Sequence, residues 1–333
     1  MFNAHTRETA RVEIRRSAHA DPSRLFGERE DYGHTQQSGR PVQGRVRLHR
    51  SPTSGFTSAF AGTQITELLH PRLSLSAVAT FDWTFEQDLE FWSRAGLRCV
   101  GLSDRKFEAM GLEHVVTELK RRNFAISCIA SGPFTLLDPS AWEAERETIF
   151  RCIDVVHALG GGAVYGPPGK GKFDSWDDNA ARYAEAVAPC IVYGASRGVR
   201  VAFEPTLRPQ ISFVHNIRDS LDLVERSGAD VVIDVGNCYT ERDVRDWIRR
   251  AGEHIGLVQI SDVAIGTMES PRAGTRGLPG SGELPIEEFL RAAMDAGYAG
   301  PFEIEYLGLG EVDQPAVLAS LARMNALLHS LGA

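Results

Sequence analysis

From about residue 72 onward, eight short apolar runs alternate with eight stretches of helical spacing. The runs fall at 72–78, 98–103, 124–130, 162–166, 199–205, 230–235, 256–261 and 301–306. The helical stretches cover 84–95, 108–122, 142–159, 177–197, 214–227, 242–251, 286–297 and 313–331. Strands that alternate with helices predict a parallel sheet built from βαβ units. Eight such units in roughly 260 residues match a closed (β/α)8 barrel in number and length. An open doubly wound sheet would favour a glycine-rich fingerprint after the first strand, and residues 76–84 contain no glycine. Local signals agree with the helix assignments. Asp138-Pro-Ser140 offers a cap before Trp142, Gly160-Gly-Gly162 ends a helix, and Pro285 followed by Glu287-Glu288 opens another.

Residues 1–60 show neither period, and with ten Arg, no Lys and six acids they carry about +4. Such a stretch buries too little apolar surface to offset its ordering entropy. A polar, flexible extension over 1–70 and a barrel over 71–333 are therefore expected. Against the overall charge of −8, the remainder carries about −12. An acidic body is a poor match for a nucleic acid backbone. No window approaches ~18 uninterrupted apolar residues, so no membrane helix is expected. Five scattered cysteines without a CxxC pair, and an N-terminus lacking the apolar core of a secretory signal, favour reduced thiols and a cytoplasmic setting.

The last four runs each end on a side-chain oxygen donor: Glu204, Asp234, Gln259 and Glu305. A buried strand ending on a carboxylate or amide is costly unless something compensates. In a barrel of this type these positions meet on the face formed by the C-terminal strand ends. Four oxygens in series point to one shared cation. Lys106, just past the second run, and Asn237, three residues after Asp234, fall on the same face as candidate substrate contacts. Of the pair Glu303 and Glu305, one is expected to face away from the interior. Beyond residue 60 the histidines fall at 70, 114, 157, 215, 254 and 329, and only His215 lies near this face. Zinc normally recruits imidazole or thiolate. Two Glu, one Asp and one Gln are a hard oxygen set, favouring Mn²⁺, with Mg²⁺ or Co²⁺ as alternatives.

Two glycine-rich loops need separate readings. Gly166-Pro-Pro-Gly-Lys-Gly171-Lys172 fits GxxxxGK, but Phe173 stands where a P-loop needs Ser or Thr. A substrate-covering loop carrying Lys170 or Lys172 is the better reading. The loop Arg272–Pro285 is long for a βα connection, and Arg272 and Arg276 can reach substrate oxygens from it.

The series Phe-Glu204-Pro, Val-Ile-Asp234-Val-Gly-Asn237, Val-Gln259-Ile-Ser-Asp262, Pro279-Gly-Ser-Gly-Glu-Leu-Pro and Gly297-Tyr-Ala-Gly-Pro-Phe-Glu-Ile-Glu305 resembles the xylose isomerase-like barrels. These include sugar phosphate isomerases and epimerases, ketose 3-epimerases and inosose dehydratases. The resemblance spans about 72 to 331 and implies one divalent metal held by Glu204, Asp234, the residue at Gln259 and Glu305. The family commonly has His at the positions of Gln259 and Asn237. The endonuclease IV branch needs several His for a three-zinc cluster, which this chain lacks.

The chemistry also follows from the residues. A cation at the four oxygens polarises a substrate carbonyl, and Glu204 or Glu305 removes the α-proton to leave an enediolate. Return of the proton gives epimerisation or isomerisation of a sugar, cyclitol or keto-sugar. Loss of a β-group gives instead a lyase or dehydratase acting on a 3-keto-glycoside or inosose. A third reading is a non-catalytic metal-binding barrel within a larger complex. A small-molecule partner is expected, with no nucleic acid and no membrane. Barrels of this kind often pair, which leaves a homo-oligomer open.

Overall fold

The computed structural model describes residues 68–333, apart from Ala109, Asp174, 267–270 and 307–312, with side chains also omitted at 107–108 and 271–275. Of the extension expected over 1–70, residues 1–67 lie outside the described residues. Leu69 and His70 already belong to the barrel. Leu69 N–H donates to the Gly96 carbonyl (2.9 Å), and His70 N–H donates to Asn325 Oδ1 (2.7 Å).

Eight parallel strands close on themselves. They are β1 (Leu73–Ser76), β2 (Cys99–Ser103), β3 (Ala125–Ala130), β4 (Ala163–Gly166), β5 (Arg200–Phe203), β6 (Asp230–Asp234), β7 (Ile255–Ile260) and β10 (Phe302–Ile304). Their order around the barrel is β1-β10-β7-β6-β5-β4-β3-β2. The helices are α1 (Phe85–Arg94), α2 (Arg105–Glu108), α3 (Leu112–Arg121), α4 (Trp142–Ala158), α5 (Trp176–Ala195), α6 (Ile217–Ser227), α7 (Val235–Cys238), α8 (Val244–Ala251), α9 (Ile286–Asp295) and α10 (Gln314–Leu331). The expected (β/α)8 barrel is therefore present.

Side-chain chemistry sets several helix ends. Thr84 accepts from Gln87 N–H while the Gln87 side chain accepts from Thr84 N–H, a reciprocal cap that starts α1. Asn216 caps α6, and Gly228 ends it in the left-handed region (φ 73°), where a Cβ would be strained. No P-loop forms after β4: α5 starts only at Trp176, and Gly169 N–H donates to the Ile211 carbonyl of the next loop. One expected loop is instead ordered. Part of 272–285 belongs to an antiparallel hairpin, β8 (Asp262–Gly266) with β9 (Pro271–Gly277), inserted after β7. Periodicity does not reveal it, because β9 is mostly glycine, arginine and small residues.

Two apolar clusters form. The larger lies between strands and helices, where fully buried Phe85, Trp92, Phe203 and Phe302 each contribute about 1.5–3 kcal/mol. The smaller fills the barrel itself: Cys128, Ala163, Tyr165, Ala202, Val232 and Leu257. Side chains two residues apart share a strand face. The inner positions after Ala202, Val232 and Leu257 are therefore Glu204, Asp234 and Gln259, so the barrel interior is apolar below and polar at the C-terminal mouth.

Lys106 is buried beside this mouth in a role different from the expected substrate contact. Its ammonium pairs with Asp88 (2.8 Å) and donates to the carbonyls of Thr80 (2.8 Å) and Trp83 (2.6 Å). Those three partners use its three N–H groups and tie the β1–α1 loop to α1. Burial raises the Asp88 carboxyl to about 6 in spite of Lys106 and Thr80. Removing one member of a buried pair strands the other. Lys106→Met should therefore lower stability by about 3 kcal/mol in urea denaturation. A loss below about 1 kcal/mol would mean that the clamp is not what holds the loop.

Candidate metal centre

Three carboxylates converge at the mouth of the barrel. Ligand oxygens of Glu204, Asp234 and Glu305 all lie within 4.8 Å of one another, and all three residues are buried. Backbone bonds set their height: Glu204 N–H donates to the Gly166 carbonyl (3.1 Å) and Glu305 N–H to the Ile260 carbonyl (3.0 Å). Asp234 caps the short α7 turn, with Oδ1 accepting from Gly236 N–H (2.9 Å).

Three side chains hold the carboxylates together. Asn237 uses both N–H groups of its amide, donating to Glu204 Oε1 (2.6 Å) and Asp234 Oδ2 (2.7 Å). Its expected role as a substrate contact is therefore preceded by one as a carboxylate bridge. Arg276 places its guanidinium 2.8 Å from Asp234 Oδ2 and 3.6 Å from Glu305 Oε2. Tyr165 O–H donates to Glu305 Oε1 (2.9 Å).

Gln259 lies between this cluster and Glu303. It pairs in register with Asp234 on one side and Glu303 on the other. Its Nε2 donates to Tyr165 Oη (2.7 Å) and Glu303 Oε1 (3.2 Å), while its buried Oε1 has no hydrogen-bond partner. An amide oxygen left without a partner in the interior is unfavourable, and a cation would satisfy it. Glu303 and Glu305 both point inward, contrary to the expectation that one faces away. Residues i and i+2 of a strand share a face, so the pair obeys the alternation that the expectation misapplied.

The electrostatics favour a cation. Burial, then the charges of Glu305 and Asp234, push the Glu204 carboxyl well above the ordinary range. Burial pushes Glu305 up to about 7, opposed by Arg276 and reinforced by Asp234 and Glu303. Burial works against the Arg276 charge, but Asp234, Glu305 and Glu204 more than offset it and hold the guanidinium protonated. One guanidinium does not neutralise three carboxylates. The all-oxygen donors and the partnerless Gln259 Oε1 fit a hard divalent ion.

Of the residues expected at the site, the structure brings together Glu204, Asp234, Glu305 and Asn237, with Gln259 adjacent. It places Lys106 in the clamp described above. Arg272 lies on β9, and its side chain is outside the described residues. Arg276, on the same strand, enters the site because the hairpin pairs Arg276 with Val263 and Asp262 with Gly277, turning β9 back along β8. Asp262 anchors the return, accepting from the N–H groups of Val263, Gly280 and Leu284. Gly236 leaves room: a Cβ there would sit 2.8 Å from Arg276 Nε. Tyr165 was missed, although the strand-end rule applied to β4 points to it. His215 takes no part in the carboxylate network; its Nδ1 bonds the Thr206 carbonyl (2.7 Å) just before α6.

The family model described as "Xylose isomerase-like TIM barrel" matches residues 89–326. The chain belongs to this family. The L-ribulose 3-epimerase of Methylomonas sp. (strain DH-1) is 24% identical over 217 residues, covering 63% of this chain and 72% of that protein. A xylose isomerase domain protein from Alicyclobacillus acidocaldarius superposes with a TM-score of 0.67 at 21% identity, over 79% of this chain and 99% of that one. The IolI protein, solved with a bound zinc atom, superposes with a TM-score of 0.66 at 14% identity, over 78% of this chain and 98% of that one. The family members it resembles thus include a sugar epimerase and a metal-binding barrel. Among the described residues no helix is long and apolar enough to cross a membrane.

The raised carboxyl pKa values fix the sign of a pH effect. The folded state holds protons that the unfolded chain releases above about 4.5, so this contribution to stability is present below that pH and is lost as pH rises through about 7. The melting temperature of chelator-treated protein should fall between pH 5 and 7.5. Over the same interval Mn²⁺ affinity should rise, because protons and metal compete for the same oxygens. A pH-independent Mn²⁺ titration would contradict this assignment of the carboxylates.

Proposed function

We propose that this chain is a divalent-metal-dependent isomerase or epimerase of a sugar or keto-sugar, working by α-proton abstraction. The observation that carries the reading is the buried cluster of Glu204, Asp234 and Glu305 beside the partnerless Oε1 of Gln259. These four residues would hold the ion. Mn²⁺ suits their all-oxygen set, with Mg²⁺ or Co²⁺ as alternatives. When bound, such an ion polarises a substrate carbonyl and stabilises the enediolate left by deprotonation.

The side chains divide the remaining work. Glu204 follows β5 and Glu305 follows β10, with β6 and β7 between them, so the two carboxylates approach a substrate carbon from different sides. One removes the α-proton and the other returns it. Return to the same carbon from the opposite side gives an epimer, and return to the neighbouring carbon gives an isomer. Tyr165 holds Glu305 Oε1, which leaves Oε2 as the atom that takes the proton. A carboxyl whose pKa lies near 7 can both accept and release a proton at neutral pH. Arg276, with its guanidinium beside Asp234 and Glu305, stands where it can bind a developing oxyanion.

A lyase or dehydratase outcome shares the first step. Tyr165 favours keeping it as a second reading, because its hydroxyl, kept protonated by burial and the charges around it, lies beside Glu305 where a departing oxygen would need a hydrogen-bond donor. A small-molecule sugar or cyclitol is the expected partner on either reading, in a cytoplasmic setting.

Glu305→Gln should lower turnover at least about 10³-fold while leaving the fold intact. Incubation of the metal-loaded protein in D₂O with a panel of ketoses and keto-glycosides separates the readings. Deuterium at an α-carbon with the carbon skeleton retained supports the isomerase, whereas loss of water or of the aglycone supports the lyase. Bound metal with no exchange across the panel would favour a non-catalytic barrel.

A further inference from the structure

Glu303 is a buried acid that the scheme above does not use. It is fully excluded from solvent on β10, level with Ser74 on β1 and Gln259 on β7. It does not belong to the group of carboxylates that converge at the mouth. Ser127 Oγ (2.5 Å), Cys128 Sγ (3.2 Å) and Gln259 Nε2 (3.2 Å) donate to it, and Ser74 Oγ, 3.4 Å away, bonds Ser127 Oγ (2.8 Å).

The barrel is shaped around this side chain. A Cβ at Gly101 would lie 2.0 Å from Glu303 Oε2, so no larger residue fits opposite it. The register between β2 and β3 slips at Ser127, since Val100 pairs with Ile126 and Gly101 with Cys128. That extra residue lets Ser127 and Cys128, adjacent in sequence, both face one carboxyl. Leucine at 303 would join the inner apolar cluster without needing any of these donors. A fold that keeps an acid there at such cost calls for a reason.

The reason lies in the direction of the hydrogen bonds. Glu303 Oε1 accepts, so the Gln259 atom facing it must be the nitrogen. The second N–H of that nitrogen donates to Tyr165 Oη, which commits the single Tyr165 proton to Glu305. With Nε2 held on both hydrogens, Gln259 Oε1 is the atom left open. Without Glu303 the amide is free to turn over, and the ligand oxygen would be exchanged for an NH₂ group that repels a cation.

We propose that Glu303 is a positioning residue that fixes the amide of Gln259, so that Oε1 serves as a metal ligand, and that through Tyr165 it leaves one oxygen of Glu305 free. This rests on the metal-site reading above. Partners that orient metal ligands typically change affinity 10- to 100-fold when lost.

The test measures Mn²⁺ binding by the full chain, from the free-Mn²⁺ electron paramagnetic resonance signal, with folding checked by thermal melting. Glu303→Met removes the acceptor and should weaken binding at least about tenfold. Glu303→Gln keeps an acceptor oxygen for Gln259 and should stay within about threefold of wild type. In a Gln259→Met background, Glu303→Met should cause no further loss, since its effect passes through Gln259. If Glu303→Met does not fold, Glu303→Asp, which draws the acceptor back by one methylene, carries the same expectation. Unchanged binding in the folded Glu303→Met or Glu303→Asp protein, or losses that simply add in the double variant, overturns the positioning role and leaves the metal site standing. Failure of the wild type to bind Mn²⁺ overturns both.

Discussion

Three buried carboxylates within 4.8 Å of one another repel strongly, and much of the mouth of this barrel is arranged around that repulsion. Like charges in a low-dielectric interior raise each other's pKa or demand a counter-charge. The chain answers in part with its own groups. Asn237 bridges Glu204 and Asp234, Arg276 supplies one positive charge, and Tyr165 caps one oxygen of Glu305. The charge left over is the physical basis for a divalent ion. Burial, reinforced by Asp234 and Glu303 and opposed by Arg276, pushes Glu305 up to about 7.

The supporting architecture follows the geometry of the strands. Inner positions change from apolar to polar over one i, i+2 step on β5, β6 and β7, so a packed floor of Ala202, Val232 and Leu257 lies under the reactive side chains. Rigid strands place Glu204, Asp234 and Glu305 more tightly than loops would. The one element that arrives from elsewhere is the β8–β9 hairpin, anchored by Asp262 and admitted by the bare Cα of Gly236. It carries the only guanidinium paired with the cluster among the described residues.

The polar interior is layered. The upper layer holds the carboxylates that can meet an ion and a substrate. The lower holds Glu303, Ser127 and Ser74, joined to the upper layer at Gln259 by hydrogen bonds whose direction is set by the acceptor at Glu303. A layer of this kind specifies orientation more than stability, because it exchanges good apolar packing for a fixed polarity. The donor set differs from the His-containing one that the family resemblance implies. With Gln259 and Asn237 in place of imidazoles, all the candidate ligands are oxygens.

The barrel and a row of four strand-end oxygen donors at its mouth are legible in the sequence. Alternation of strand and helix periods is local, and eight repeats leave few closed architectures. Glu204, Asp234, Gln259 and Glu305 were legible because each ends an apolar run, and strand ends in such a barrel face one way. Tyr165 on β4 obeys the same rule, and the two-residue period puts Glu303 on the same inner face as Glu305. Tertiary structure alone decided the rest. Whether Lys106 meets substrate or Asp88 depends on how the β1–α1 loop returns, which no local period encodes. Arg276 reaches the carboxylates through a hairpin whose second strand, β9, is too poor in apolar residues to be read as a strand. The direction of the Gln259 amide depends on an acceptor 44 residues away in the chain, brought beside it by barrel closure. Local patterns record which way a side chain faces, but which partner it meets is settled only when distant strands come into register.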